Sequence, residues 1–171
     1  MEENLASVQP RDVVVDDQLL KKTFLEHLNY IYYGKQHLIN FFAEVKAMAS
    51  LNVLKAAIQE ANDDAENQLS HLEKMYAAIS ENPSKTSTLA IKALTLETYL
   101  SAIKASKTPL EKDIYILFYL QQIEGVEITY YKVLKNLAKS IGFSSAALDE
   151  PFDLAVENRL LFDAIYKEYI N

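Results

Sequence analysis

Apolar side chains recur with heptad spacing over residues 24–45, which predicts a long helix with one buried face. The stripe consists of Phe24, Leu28, Ile31, Lys35, Leu38, Phe42 and Val45. Its central residue is a lysine, and an unpaired ammonium is costly to bury, so Lys35 must find an acid or reach water. The stripe therefore requires partner helices to cover it and a counter-charge at its centre.

A second apolar stripe, over residues 116–141, also carries an ionisable residue at its centre. Its members are Ile116, Leu120, Ile123, Glu127, Tyr130, Leu134, Leu137 and Ile141. Glu124 lies one turn before Glu127 on nearly the same face. Helical bundles build carboxylate metal sites from acids that face the interior in this way. The acids can equally be satisfied by Lys35, by tyrosine hydroxyls or by water.

Five amphipathic helices are predicted, at about residues 16–49, 52–79, 88–105, 108–142 and 151–171. The clearest start signal is Thr108 as N-cap, followed by Pro109 and by Glu111 to complete a capping box. Gly142 suits the end of the fourth helix. Residues 1–15 are predicted to be a tail, and residues 16–171 a single helical domain. The loop after the second helix is long enough for a hairpin or for a crossover along the bundle, so it leaves the topology open.

Composition supports a helical fold and excludes several classes of function. Among 171 residues there are only three glycines and four prolines, the residues that helix interiors exclude. Cysteine is absent, which rules out disulfides, thiolate catalysis and cysteine-bound metal. The net charge of −7 argues against nucleic acid or an anionic membrane as partner. Neither a signal peptide nor a membrane-spanning apolar run is evident, which favours a cytoplasmic location.

Three segments carry a resemblance to a known family. They are FLEHLNYIYYGKQHLINFF, LKAAIQEANDDAENQLSHLEKM and LQQIEGVEITYYKVLKNLAKSIGF. In this order and spacing they resemble the bacterial ferritin-like family typified by the stress-associated proteins YciE and YciF, over about residues 22–168. The resemblance implies an all-α fold, a ferritin-like four-helix bundle plus a fifth C-terminal helix, which we expect to pack alongside the bundle or across one end.

The same resemblance implies a two-metal site and shows where this chain departs from it. Asp64, Glu97, Glu124 and Glu127 correspond to family acids and are the candidate metal ligands. The acid of the first helix is replaced by Lys35, a family histidine by Ala61, and another by Gly125. Exchanging an acid for lysine changes the local charge by about two units, because lysine stays protonated well above neutral pH.

These departures favour a non-catalytic structural or interaction protein with a degraded metal site and no cofactor. The alternative is a di-iron or di-manganese carboxylate protein with oxidase or peroxide-consuming activity. Lys35 is expected to point into the bundle and pair with Glu124, Glu127 or both, whereas no motif supports Schiff-base chemistry at this lysine. A homodimer is expected, with contacts through tyrosine-rich outer surfaces. These tyrosines are Tyr30, Tyr32, Tyr33, Tyr115, Tyr119, Tyr130 and Tyr131.

Overall fold

The protein is described by a computed structural model that covers residues 16–85 and 88–170, so the predicted tail of residues 1–15 lies outside the described residues. The helices are α1 (Asp17–Met48), α2 (Asn52–Ala78), α3 (Leu89–Tyr99), α4 (Pro109–Ser140) and α5 (Asp149–Ile170). A π-helical turn, Leu100–Ala105, extends α3, and a 3₁₀ turn, Ala146–Leu148, precedes α5. The helix ends lie close to the predicted ones.

The predicted start and stop signals of α4 are confirmed. The hydroxyl of Thr108 accepts a hydrogen bond from the backbone N–H of Glu111 at 3.1 Å, and the Glu111 carboxylate accepts one from the N–H of Lys107 at 2.6 Å. At the other end, Gly142 adopts φ +76°, and the N–H of Phe143 bonds back to the carbonyl of Ala138 at 2.9 Å. Glycine takes this left-handed conformation without a steric penalty, which allows the helix to end there.

The four long helices form the bundle. α1 packs against α2 and α4, and α5 packs against the same two helices, so α1, α2, α5 and α4 enclose one core. The short α3 lies on the outside, against α1 and α4. The all-α five-helix bundle is thus confirmed, but the expected position of the C-terminal helix was wrong. α5 buries a full stripe of side chains and belongs to the core, whereas α3 buries few apolar residues.

The connection from α2 to α4 crosses the whole length of the bundle. Where it begins, Glu81 pairs with Lys21 near the start of α1 at 3.3 Å. Where it ends, Asp113 of α4 accepts hydrogen bonds from the backbone N–H groups of Ser50 and Leu51, both at 2.8 Å, at the opposite end of α1. One long crossover between two helical hairpins is the connectivity of ferritin-like bundles. The topology that the sequence left open is therefore a crossover, and α3 is part of the connecting segment.

The apolar core is divided into two clusters. One surrounds Phe42, Ile58 and Phe162, and the other surrounds Phe24, Leu72 and Leu134. Between them the stripes of the long helices carry polar residues instead of apolar ones. No helix in the described ranges is long and apolar enough to cross a membrane.

Candidate functional site

Each long helix places a polar side chain inside the bundle, between the two apolar clusters. α1 contributes Lys35, α2 contributes Gln68, α4 contributes Glu124 and Glu127, and α5 contributes Asn158; all five are buried. They share a cause, because each stands in a heptad stripe whose neighbours along the helix are apolar. Packing the stripes together therefore forces these groups out of water, where each needs a polar partner.

Lys35 and Glu127 form a buried ion pair. The ammonium nitrogen Nζ of Lys35 lies 2.5 Å from Oε2 of Glu127, and the two side chains are only 2% and 4% exposed. The prediction that Lys35 points inward and pairs with an acid of α4 is confirmed. At this depth the partners are scarcely screened by solvent, so removal of either one strands a buried charge.

Glu124 is a second buried acid beside this ion pair. Its residue is 1% exposed, and burial raises its pKa well above the usual range. The neighbouring Glu127 carboxylate raises the pKa further, and the ammonium of Lys35 opposes this only in part. A raised pKa favours the neutral form of the Glu124 carboxyl group, which reduces the negative charge that Lys35 has to balance in the interior.

Two further groups extend this centre. Burial raises the pKa of Asp64 on α2, while a hydrogen bond from Asn158 and the charge of Lys35 oppose the shift. Burial also raises the pKa of the Tyr131 phenol well above its usual range, and the Glu127 carboxylate adds to this effect. Among the described residues, neither the Tyr131 hydroxyl nor Oε2 of Glu124 has a hydrogen-bond partner.

The four predicted metal ligands are only partly brought together. Asp64 and Glu127 lie close enough to Glu124 that both raise its pKa. Glu97, by contrast, is exposed on the outer helix α3. Within residues 16–85 and 88–170, no group of three or more His, Asp or Glu side chains is arranged to hold a metal ion. With the Lys35 ammonium against Glu127, the donor set does not fit a divalent cation.

The two positions at which the resemblance implies family histidines have different surroundings. Ala61 is buried in the apolar cluster next to Ile58 and Ala65, so an imidazole there would enter the interior. A side chain at Gly125 would instead meet the guanidinium of Arg159, at 3.8 Å from its Cβ. A side chain at position 125 would therefore change the surface between α4 and α5 rather than the buried centre.

The three histidines of the chain are engaged elsewhere. His27 hydrogen-bonds to the carbonyl of Thr23 at 2.9 Å, and His37 to the hydroxyl of Thr95 at 2.8 Å. His71 lies 3.6 Å from Glu150 at the start of α5. A cavity of about 430 Å³ between α1 and α3 is lined by His37 and not by the ion pair. The contact that remains at the centre is the one between Lys35 and Glu127, whose opposite charges neutralise each other inside the core.

Sequence reasoning missed Asn158 of α5, which is buried and hydrogen-bonds to Asp64. The signal was present in the stripe Pro151, Ala155, Asn158, Phe162 and Ile165, all buried. Its central residue is polar, as in the stripe of Lys35. An asparagine in such a place has no charge to attract notice, although its amide must also be satisfied when buried.

Comparisons with known proteins agree with this architecture. Residues 19–149 match the family described as "Domain of unknown function (DUF892)". The crystal structure of the E. coli stress protein YciF is similar, with a TM-score of 0.84 and 17% sequence identity, over 89% of this chain and 97% of that one. YcfI, "a putative structural protein from Rhodopseudomonas palustris", has a TM-score of 0.72 and 20% identity, over 94% and 96%. No curated protein sequence matches significantly.

Proposed function

The chain belongs to the DUF892 family, and from this premise we propose that it is a stress-associated bundle protein that works through interactions rather than catalysis. An ion pair stands where its relatives are expected to hold metal. The role in stress is supported by the description of YciF as a stress protein, and the non-catalytic role by the description of YcfI as "a putative structural protein".

The observation that carries the proposal is the contact between Lys35 and Glu127. An ammonium 2.5 Å from Oε2 of Glu127 supplies the positive charge that a metal ion would otherwise supply to this acid. It also repels any divalent cation that approaches the remaining carboxyl groups. The residues that the resemblance assigns to a metal site then serve to hold the four helices together.

The alternative is a carboxylate metalloprotein that binds iron or manganese. It is favoured by one observation, the oxygen Oε2 of Glu124, which is buried without a partner among the described residues. A metal could use that oxygen together with Asp64 and Glu127 only if Lys35 turned away. This would break a buried ion pair, so the first proposal is preferred.

As an interaction protein, the chain is proposed to act in the cytoplasm as a homodimer, without nucleic acid or membrane as partner. The tyrosines that were expected to form the dimer contact expose little of their side chains. Tyr131 is buried, and Tyr30, Tyr32, Tyr33, Tyr115, Tyr119 and Tyr130 are all half-buried in their own chain. A surface with exposed apolar side chains is needed instead.

Elemental analysis of untagged protein, purified without chelator from cells supplied with iron and manganese, tests the proposal. We expect substoichiometric iron, manganese and zinc. The matched variant Lys35→Glu with Ala61→His restores the acid and the imidazole, and should bind iron or manganese tightly. One or two firmly held ions per wild-type chain, lost in Glu124→Gln, would establish the alternative, and loaded protein would then be assayed for peroxide consumption.

A further inference from the structure

The outer helix α3 has an inverted distribution of side chains. Towards the bundle it buries Thr95 and Thr98 together with Ile91. Towards solvent it presents Leu89, which is 72% exposed, and Leu96, which is 58% exposed. Leucine gains more than threonine from burial, so an isolated bundle would place these residues the other way round. The outward face of α3 therefore has the character of an interface.

The exposed side chains of α3 form a regular seam. The residues Leu89, Ala93, Leu96 and Leu100 are all exposed and follow one another at intervals of four, three and four; we call them the α3 seam. This is the alternating spacing of the d and a positions of a coiled coil, where two helices pack side chain against side chain. The seam extends for roughly 16 Å along the helix axis. Its partner is therefore expected to be another helix.

Two charged residues flank the seam on opposite sides. With Leu89 and Leu96 at d positions, Lys92 falls on a g position and Glu97 on an e position. Both side chains are exposed, and neither forms an ion pair with a described residue of its own chain. In a parallel pair of coiled helices, a g residue faces the e residue five places later on the other helix. Lys92 and Glu97 have this separation and opposite charge.

We propose that the α3 seam binds the α3 seam of a second copy of this chain, as a parallel helix pair related by a two-fold axis. Leu89 and Leu96 would each meet their own counterparts, and Lys92 would pair with Glu97 of the partner subunit on both sides. The proposal rests on the interaction role proposed above and names the surface that serves it. An antiparallel pair would bring g positions together, placing Lys92 beside a tyrosine, and would lose both charge pairs.

α3 is fixed firmly enough to present this surface. The ring of His37 on α1 hydrogen-bonds to the hydroxyl of Thr95 at 2.8 Å. The hydroxyl of Ser101, in the π-helical turn, lies 3.2 Å from that of Tyr119 on α4. Because α3 is held to both neighbours, the seam needs little ordering when it meets its partner, which reduces the entropic cost of association.

Single cysteines test the orientation, since the natural chain contains none. In the parallel pair, Leu89→Cys should form a disulfide-linked dimer under mild oxidation, because each Cys would meet its own copy within disulfide reach. Leu160→Cys on α5, where the leucine is 62% exposed, is the matched control and should remain monomeric on a non-reducing gel. Cross-linking of Leu89→Cys no faster than the control would overturn the parallel pairing. Cross-linking only when Leu89→Cys and Leu100→Cys are combined would do the same, since it indicates an antiparallel pair.

Charge exchange tests the flanking pairs by sedimentation equilibrium. Lys92→Glu or Glu97→Lys alone turns two attractions into two repulsions and should weaken the dimer about tenfold. The double variant restores opposite charges and should return to within about threefold of the wild type. Leu96→Glu should abolish the dimer, whereas Leu160→Glu should not. A wild-type chain that stays monomeric at about 100 μM, or a double variant no better than either single one, would refute the proposal. Neither result would alter the metal content of the core, so failure here is distinct from failure of the proposed function.

Discussion

Replacing Lys35 by methionine removes the ammonium but keeps a flexible apolar side chain of similar length. Glu127 then loses the partner that lies 2.5 Å from it, while its side chain remains 4% exposed. The acid is left with two options in the folded state. It can stay ionised without a counter-charge, or it can take up a proton and become neutral.

Both options lower the free energy of unfolding by a similar amount. Removing one partner of a buried ion pair costs about 3–5 kcal/mol in the free energy of unfolding. Protonating a glutamate of ordinary pKa at pH 7 costs about 1.36 kcal/mol for each of roughly 2.7 pH units, or about 3.7 kcal/mol. Because protonation of Glu127 limits the cost, we expect Lys35→Met to destabilise the fold by about 3–4 kcal/mol at pH 7.

Protonation of Glu127 also makes the stability of the Lys35→Met variant depend on pH. In the variant, burial without a partner raises the pKa of Glu127 above its unfolded value. The folded chain then binds more protons than the unfolded chain between these two pKa values, so stability is lost as the pH rises through this window. The destabilisation should shrink by about 1.4 kcal/mol per unit as the pH falls from 7 towards 5.

Urea unfolding followed by circular dichroism at pH 5 and pH 7, at one fixed protein concentration, measures this effect. Lys22→Met is the control, because Lys22 is 72% exposed and its contact with Glu26 should be worth less than about 0.5 kcal/mol. Adding Glu127→Gln to Lys35→Met should recover part of the loss. A cost below about 1 kcal/mol, or one independent of pH, would refute the reasoning.

Two further predictions concern other buried acids. Glu124→Gln replaces the acid by a neutral side chain of the same shape. The raised pKa of Glu124 makes the stability of the wild type fall as the pH rises above the unfolded pKa, so the urea midpoint of the variant relative to the wild type should rise between pH 5 and pH 8. A constant difference between the two midpoints would argue against a neutral Glu124. Asp113→Ala leaves the N–H groups of Ser50 and Leu51 without their acceptor, and should lower the unfolding free energy by about 2–3 kcal/mol in the same assay; an effect below about 0.5 kcal/mol would show that water replaces the carboxylate.

Much of this fold follows from local patterns. The heptad stripes located the long helices, and Thr108 and Gly142 marked the ends of α4, because these signals act within a few residues. The ion pair was also predictable, since two charged residues at the centres of apolar stripes have few alternatives. Asn158 shows that the same signal is easily overlooked in an uncharged residue.

The remaining features depend on which helices meet. That α5 belongs to the bundle and α3 lies outside is decided by contacts between distant segments, and both helices look amphipathic along the chain. Glu97 illustrates the consequence, because its match to a family acid says nothing about the direction in which α3 presents it. The structure places this residue in solvent, beside the α3 seam.

The central claim is that Lys35 takes the place of a metal ion in the core. Crystals grown with manganese(II), measured at a wavelength where manganese scatters anomalously, test it most directly. We expect no anomalous peak between Asp64, Glu124 and Glu127, and the ammonium of Lys35 within hydrogen-bond distance of Glu127. A strong peak bound by these carboxyl groups, with Lys35 turned away from them, would contradict the claim.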